Sequence, residues 1–196
     1  MIATDCAQRR AREQQMLGAQ QQAWLFDGLG RSRARWNVLA QQTLLAPFVS
    51  SSADEKPQVW SDGWDGYAGS RDALLGFIDT AVIVNVIVLG GDMHAHYVTD
   101  LKRDFNDPGS ATLATEFVGT SITSQGADYA DVSRHLPRDP HVKFFDSRQR
   151  GYLRCELTPE TWTTDLRVVD DVTDPNTNAR TLARFHVDSG TPGAQH

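Results

Sequence analysis

Residues 82–89, VIVNVIVL, are apolar except for Asn85, and they run directly into Gly90-Gly91-Asp92-Met93-His94-Ala95-His96. A run this short and this rich in valine and isoleucine predicts a strand covered on both faces, the kind found at the centre of an α/β sheet. Gly90 and Gly91 lack a Cβ, so the backbone is free to turn tightly or to approach a ligand closely. Groups that follow such a strand emerge at the carboxyl edge of the sheet, where α/β proteins place their ligands. Asp92 supplies hard oxygen, while His94 and His96 supply imidazole nitrogen. That donor mixture suits iron, zinc or manganese, with a harder divalent ion beside it. An Asp-x-His pair by itself is equally a capped turn with a solvated histidine; the buried strand, the double glycine and the second histidine favour the metal. Period-two spacing sets His96 on the face of His94 only if the segment is extended, so a role behind the ligands or toward substrate is the alternative for it.

The rest of the chain supplies a frame for this strand. Ala19, Ala23, Trp24, Phe26 and Leu29 fall near helical spacing, predicting an amphipathic helix over 19–30 that Gly30 ends. A strand is expected over Trp36–Leu45, then a long loop over Pro47–Gly66. A helix follows over Arg71–Thr80, N-capped by Ser70 and with Asp72 in its first turn. Strand, helix and strand make a right-handed βαβ unit with parallel strands. After His96 the pattern changes. Asn106-Asp107-Pro108-Gly109 has the chemistry of a reversing turn between strands over Tyr97–Phe105 and Ala111–Thr120. A meander over His141–Asp146, Gly151–Thr158 and Trp162–Val169 follows, with a last strand over Thr181–Val187 and a disordered SGTPGAQH tail. The fold class is therefore α/β with a mixed sheet, parallel near the metal word and an antiparallel meander toward the C-terminus.

The chain of 196 residues has the length of one ordinary domain, and its net charge of −6 leaves no basic stripe for nucleic acid. No apolar run approaches the length of a membrane span, and MIATDCAQRR lacks the apolar core of a secretion signal. The expectation is a cytoplasmic protein if Met1 is the true start. Cys6 and Cys155 have no Cys-x-x-Cys spacing, so neither a disulfide framework nor a zinc ribbon is expected. Further candidate groups are Trp64, Asp65 and Tyr67, which have the chemistry to line a substrate mouth, and Thr120 and Ser121, suited to binding phosphate oxygen. His141 is a candidate acid for a leaving group. The plainer reading of these is a packed Trp/Tyr corner, a polar strand end and a surface histidine, with Arg148 and Arg150 solvated in a hairpin turn.

Several long words, MLGAQQQAWLFDGL, RWNVLAQQ, WDGYAGSRDALLGFI, VIVLGGDMHAHYVTDLK, TEFVGTSITSQG and HVKFFDSRQRGYLRCELTPETW, occur in order across nearly the whole chain. In them the chain resembles the carboxyl-terminal half of the alkaline phosphatase D-type metallophosphatases, a branch of the calcineurin-like metallophosphoesterases. The resemblance implies half of an αββα sandwich over 18–188, with residues 1–17 a variable loop or tail and 189–196 a disordered tail. It implies a binuclear centre in which His94 binds an iron-type ion and Asp92, replacing the histidine of most of the superfamily, binds a calcium-type ion. It also implies hydrolysis of phosphate monoesters and diesters by an enzyme usually exported.

The remaining acidic, Asn-His, cysteine and tyrosine ligand words of that family belong to its amino-terminal half and are not found here. Cys6 precedes the resemblance and does not inherit the cysteine role. Two functions thus stand side by side. One is a metal-dependent phosphoesterase completed by a missing amino-terminal half; the other is a non-catalytic remnant with at most weak single-metal binding.

Overall fold

The computed structural model describes residues 2–11, 13–49 and 56–196. Residues 50–55 of the expected long loop lie outside this set. Five strands build the first sheet: β2 (Asn37–Ala40), β4 (Val86–Gly90), β5 (His96–Lys102), β6 (Thr112–Val118) and β7 (Val142–Asp146). Their order is β2-β4-β6-β5-β7, with β2, β4 and β6 parallel and β5 antiparallel to both its neighbours. A second, fully antiparallel sheet has the order β11-β10-β9-β8, from β8 (Arg150–Leu157), β9 (Thr161–Val169), β10 (Arg180–Asp188) and β11 (Thr191–Gln195). Short strands β1 (Ile2–Ala3) and β3 (Gln58–Val59) pair on their own. Helices α1 (Ala19–Gly30) and α2 (Ala68–Thr80) and the short α3 (Tyr129–Ser133) complete the fold.

Alternation along the strands separates two cores. On β4, Val86 and Val88 face a core that includes Leu29 of α1 and Leu74, Leu75 and Ile78 of α2, together with Tyr97, Leu101 and Phe145. Ile87 faces the other way and joins Val98 and Phe117 against Trp162, Leu166, Phe185 and Val187 of the second sheet. The expected strand buried on both faces is therefore present, sandwiched between helices and a second sheet.

Several boundaries differ from expectation for physical reasons. The strand starts at Val86 rather than Val82, because Val82 and Asn85 have positive φ (53° and 56°) and belong to a turn. Asn85, the one polar residue of the run, ties that turn down: its amide donates to Arg35 O (2.8 Å) and Ser189 Oγ (3.0 Å), and its Oδ1 accepts from Gly190 N (2.6 Å). Strand β2 stops at Ala40, since the Gln41 side chain bonds the backbone of Thr43 and turns the chain away from the sheet. Ser70 is not the cap of α2, which begins two residues earlier; its hydroxyl instead links to Met16 N and Gln14 O.

The first segment of the expected meander, β7, belongs to the first sheet and pairs with β5, so the meander is β8-β9-β10. The expected disordered tail is β11, paired with β10 and fastened to the first sheet by Gly193 N to Thr115 Oγ1 (2.9 Å) and Ala194 N to Asp100 Oδ1 (3.2 Å). Near the start of the chain, Arg9 is buried against Asp65. Among the described residues no helix is long and apolar enough to cross a membrane, and Cys6 and Cys155 are free thiols.

Candidate metal centre

Strand β4 ends at Gly90, whose missing Cβ is a steric requirement: one built there would lie 2.4 Å from the Thr43 carbonyl oxygen. The turn itself is made by non-glycine residues. Asp92 (φ 66°) and His94 (φ 50°) both occupy the left-handed region, which aspartate and histidine tolerate better than bulkier residues. Met93 and Ala95, between and after them, line an apolar cavity of about 280 Å³ with Phe48, Trp64, Tyr97 and Phe145. Asp92 and His94 are not among its walls. Left-handed Asp92 and His94 thus alternate with the two apolar groups that line the cavity and themselves stand outside its lining.

The Nδ1 atom of His94 lies 2.9 Å from the Gln125 carbonyl oxygen. A carbonyl only accepts, so this contact places the proton on Nδ1 and leaves a lone pair on Nε2. Asp92 is exposed. The segment carrying Gln125 is held from behind. Arg150, buried at the start of β8, donates through Nη1 to Ser121 Oγ (3.0 Å) and to Ser124 O, and through Nη2 to Ser147 O. Ser121 Oγ in turn donates to Ser124 O, and Gly151 N donates to Ser121 O (3.1 Å). Gly126 packs so closely that a Cβ would stand 2.4 Å from His94 O.

The other sequence-expected site residues are elsewhere or otherwise engaged. His96 is fully buried, the first residue of β5, on the face that Val98 presents to the second sheet. Its ring nitrogens have no well-formed hydrogen bond, although the backbone of Val118 and Arg167 lies close, and burial holds its pKa below the ordinary histidine value. His141 is buried rather than at the surface, with Nε2 on Pro47 O (2.8 Å) and its ring edge-on to Phe105; burial lowers its pKa as well. The Trp64 indole donates to Gln41 Oε1 (2.9 Å) inside the helix-side core. Asp65 is buried between Arg9 and Arg71. Tyr67 stands at the N-terminal cap of α2. Thr120 donates to Gln149 O (3.1 Å), and Ser121 serves the loop just described. Arg148 is held by Asp146 and covers the Tyr129 ring at 4.1 Å, while Arg150 is buried, not solvated.

Among the described residues no group of three or more His, Cys, Asp or Glu side chains is gathered for a metal. Asp92 and His94 share the turn; His96 does not join them.

The sequence pattern did not single out Glu116, the carboxylate that positions this end of the sheet. Fully buried on β6, it accepts from Leu45 N (2.6 Å), Ala46 N (3.0 Å) and Thr99 Oγ1 (3.0 Å), fastening the loop after β2. Burial pushes its carboxyl up to about 7, against the opposing pull of those donors. The only available signal was an acid inside a strand pattern, TLATEFV.

The chain is 43% identical over 173 residues to alkaline phosphatase D of Bacillus subtilis (strain 168), matching 87% of this chain but 29% of that protein. It superimposes on a solved structure described as "Structure of PhoD" with a TM-score of 0.85 and 41% identity, covering 92% of this chain and 35% of the other. The chain therefore spans about a third of the length of these relatives. With the model of the PhoD-like phosphatases matching residues 2–166, which include the strand, the Asp92–His94 turn and the loop behind it, the chain belongs to the PhoD-like phosphatase family.

Proposed function

We propose that this chain carries the carboxyl-terminal part of a metal-dependent phosphoesterase centre, with Asp92 and His94 as two of its metal donors. The observation that supports this most is the Gln125 carbonyl on His94 Nδ1, which leaves Nε2 available as a ligand on the same turn as the exposed Asp92. Imidazole suits iron and a carboxylate suits calcium, the pair that family membership suggests, and another divalent metal fits the same donors. Bound there, the cations would activate water and neutralise charge on the phosphoryl oxygens of a phosphate ester. The chain's own contribution is to hold one imidazole in the metal-binding tautomer and one carboxylate beside it.

Two donors are too few to fix a pair of ions. The remaining ligands would come from the part of a PhoD-like fold that lies outside this chain, fused or supplied as a separate polypeptide. The absence of any three-donor cluster among the described residues favours a second reading for the chain by itself, a folded piece that binds a single metal weakly. The test is turnover of a chromogenic phosphate ester with iron and calcium supplied. The expected result is none from the isolated chain, and activity once the amino-terminal part is restored. Hydrolysis by the isolated chain, abolished by a chelator and by His94→Ala, would overturn this division of donors.

A further inference from the structure

Arg150 is tied to the loop that meets His94. Its guanidinium is buried behind the 121–126 loop, with three of its acceptors on that loop or next to it: Ser121 Oγ, Ser124 O and Ser147 O. Burial disfavours the charge and lowers its pKa, opposed by Asp146. A buried guanidinium is retained only where its fork is satisfied, and here it is satisfied by carbonyl and hydroxyl oxygens that tie the 121–126 loop to the turn at Ser147. That loop carries the Gln125 carbonyl to His94 Nδ1 at 2.9 Å. Gly126, the next residue, is wedged between His94 O (2.4 Å from a built Cβ), Ser147 O (3.0 Å) and Arg150 Nη2 (3.2 Å). The chain of contact from Arg150 to the imidazole is therefore continuous and short.

We infer that Arg150 is the positioning residue of the centre: by clamping the 121–126 loop it holds the Gln125 carbonyl against His94 and so selects the Nδ1–H tautomer. This rests on the reading of His94 as a metal donor for its consequence, but not for the tautomer itself. Without the clamp the loop loses two oriented contacts and its tie to the turn at Ser147, Gln125 O moves off Nδ1, and the imidazole is free to rotate or to protonate on Nε2. In free imidazole the Nε2–H form is the favoured one, so loss of the carbonyl shifts the proton to the nitrogen that a metal needs. Lysine is not an adequate replacement, because a single ammonium does not reproduce a fork bonded to three oxygens in different directions.

The experiment uses the full chain labelled with ¹⁵N-histidine, in the wild type and in Arg150→Ala and Arg150→Lys. Long-range ¹H–¹⁵N spectra at about pH 8, above the ordinary histidine range, read which ring nitrogen of His94 carries the proton. Calorimetric titration with Zn²⁺, a probe for the imidazole donor, reads the affinity. Far-ultraviolet circular dichroism identifies folded variants, and Ser121→Ala, which removes one Nη1 acceptor and the Ser121 Oγ bond to Ser124 O but leaves the guanidinium in place, supplies a milder perturbation if Arg150→Ala fails to fold.

The expected result is Nδ1–H in the wild type and a mixed or Nε2–H population in the variants. A fall in Zn²⁺ affinity of about tenfold or more should accompany it. Added guanidinium at low concentration should restore the wild-type spectrum in Arg150→Ala. Folded variants in which His94 keeps the Nδ1 proton would overturn the inference. If instead the tautomer switches while even the wild type binds no Zn²⁺, the positioning role stands and the metal reading of His94 falls.

Discussion

Replacing Asp65 with alanine separates a structural carboxylate from a substrate-binding one. Its Oδ1 lies 2.7 Å from Arg71 Nη1 and 3.2 Å from Arg9 Nη2, and its Oδ2 accepts from Phe48 N at 2.9 Å. All three side chains are nearly out of reach of solvent, so the carboxylate is what keeps two guanidinium groups tolerable in the interior. Removing one partner of a buried pair costs about 3–5 kcal/mol, and an orphaned backbone N–H adds about 1–3 kcal/mol where no water reaches it.

These terms share one network and do not add fully. Neither arginine is stripped bare: Arg9 keeps Thr4 O (2.8 Å) and Asp65 O (2.7 Å), and Arg71 keeps Leu45 O (3.4 Å) and the Phe105 ring (5.8 Å). The lower part of the range applies, about 3–4 kcal/mol, or a fall in Tm of about 10 °C for a chain of this size. Urea unfolding followed by tryptophan fluorescence and by circular dichroism measures it, with coincident transitions as the check on two-state behaviour. A loss below about 1 kcal/mol, the worth of a surface pair, would refute the structural assignment and return Asp65 to the list of ligand-facing groups.

Three further outcomes are expected. Metal titration by calorimetry should show that His94→Ala removes most transition-metal affinity while His96→Ala costs much less, since His96 is buried between the sheets; equal losses would place His96 at the metal. Glu116 has a native pKa raised to about 7, above the unfolded value of about 4.3, so the native state retains a proton that the unfolded state has released. Stability should then fall as pH rises from about 4.5 to 7, and Glu116→Gln should flatten its share of that fall in urea midpoints, the remainder following Asp139, raised to about 7 by burial. Gly151→Ala would put a Cβ 1.8 Å from Arg167 O across the β8–β9 pair and should cost about 2 kcal/mol or more in the same unfolding assay; a neutral result would mean that this strand pair has room to shift.

What could be read from the sequence was what depends on local pattern. Helix α1 falls on Ala19–Gly30 as its spacing predicts, and the β2-α2-β4 unit is parallel because a helix returns the chain in one hand. The Asn106–Gly109 turn does reverse β5 into β6. What was not legible depends on contacts distant in sequence. The terminal SGTPGAQH has the composition of a disordered tail, yet Thr115 and Asp100, 78 and 94 residues away from the donors, accept its backbone N–H groups. Asp65, in an exposed-looking Trp-Asp-Gly-Tyr loop, is claimed by an arginine 56 residues earlier that its own neighbourhood does not announce. Arg150 looked like a solvated turn residue because its acceptors, at 121 and 124, are backbone and hydroxyl oxygens that carry no charge signal.

The histidine pair shows why a spacing rule failed within five residues of where it succeeded. Period two requires extended backbone, and it holds along β4, where Val86 and Val88 share one core and Ile87 enters the other. It fails at Asp92 and His94, both left-handed, because each such residue reverses the sense in which the next side chain projects. His96 therefore inherits no facing from His94. Its direction is set afresh by β5, where it opposes Asp146 of β7 and shares a face with Val98 in the core between the sheets. The same backbone reversal that takes His96 away from the candidate centre turns His94 toward the 121–126 loop, where Gln125 meets its Nδ1. Of the three candidate donors in the sequence pattern, Asp92 and His94 thus share one turn, while His96 is spent on joining the sheet that follows it.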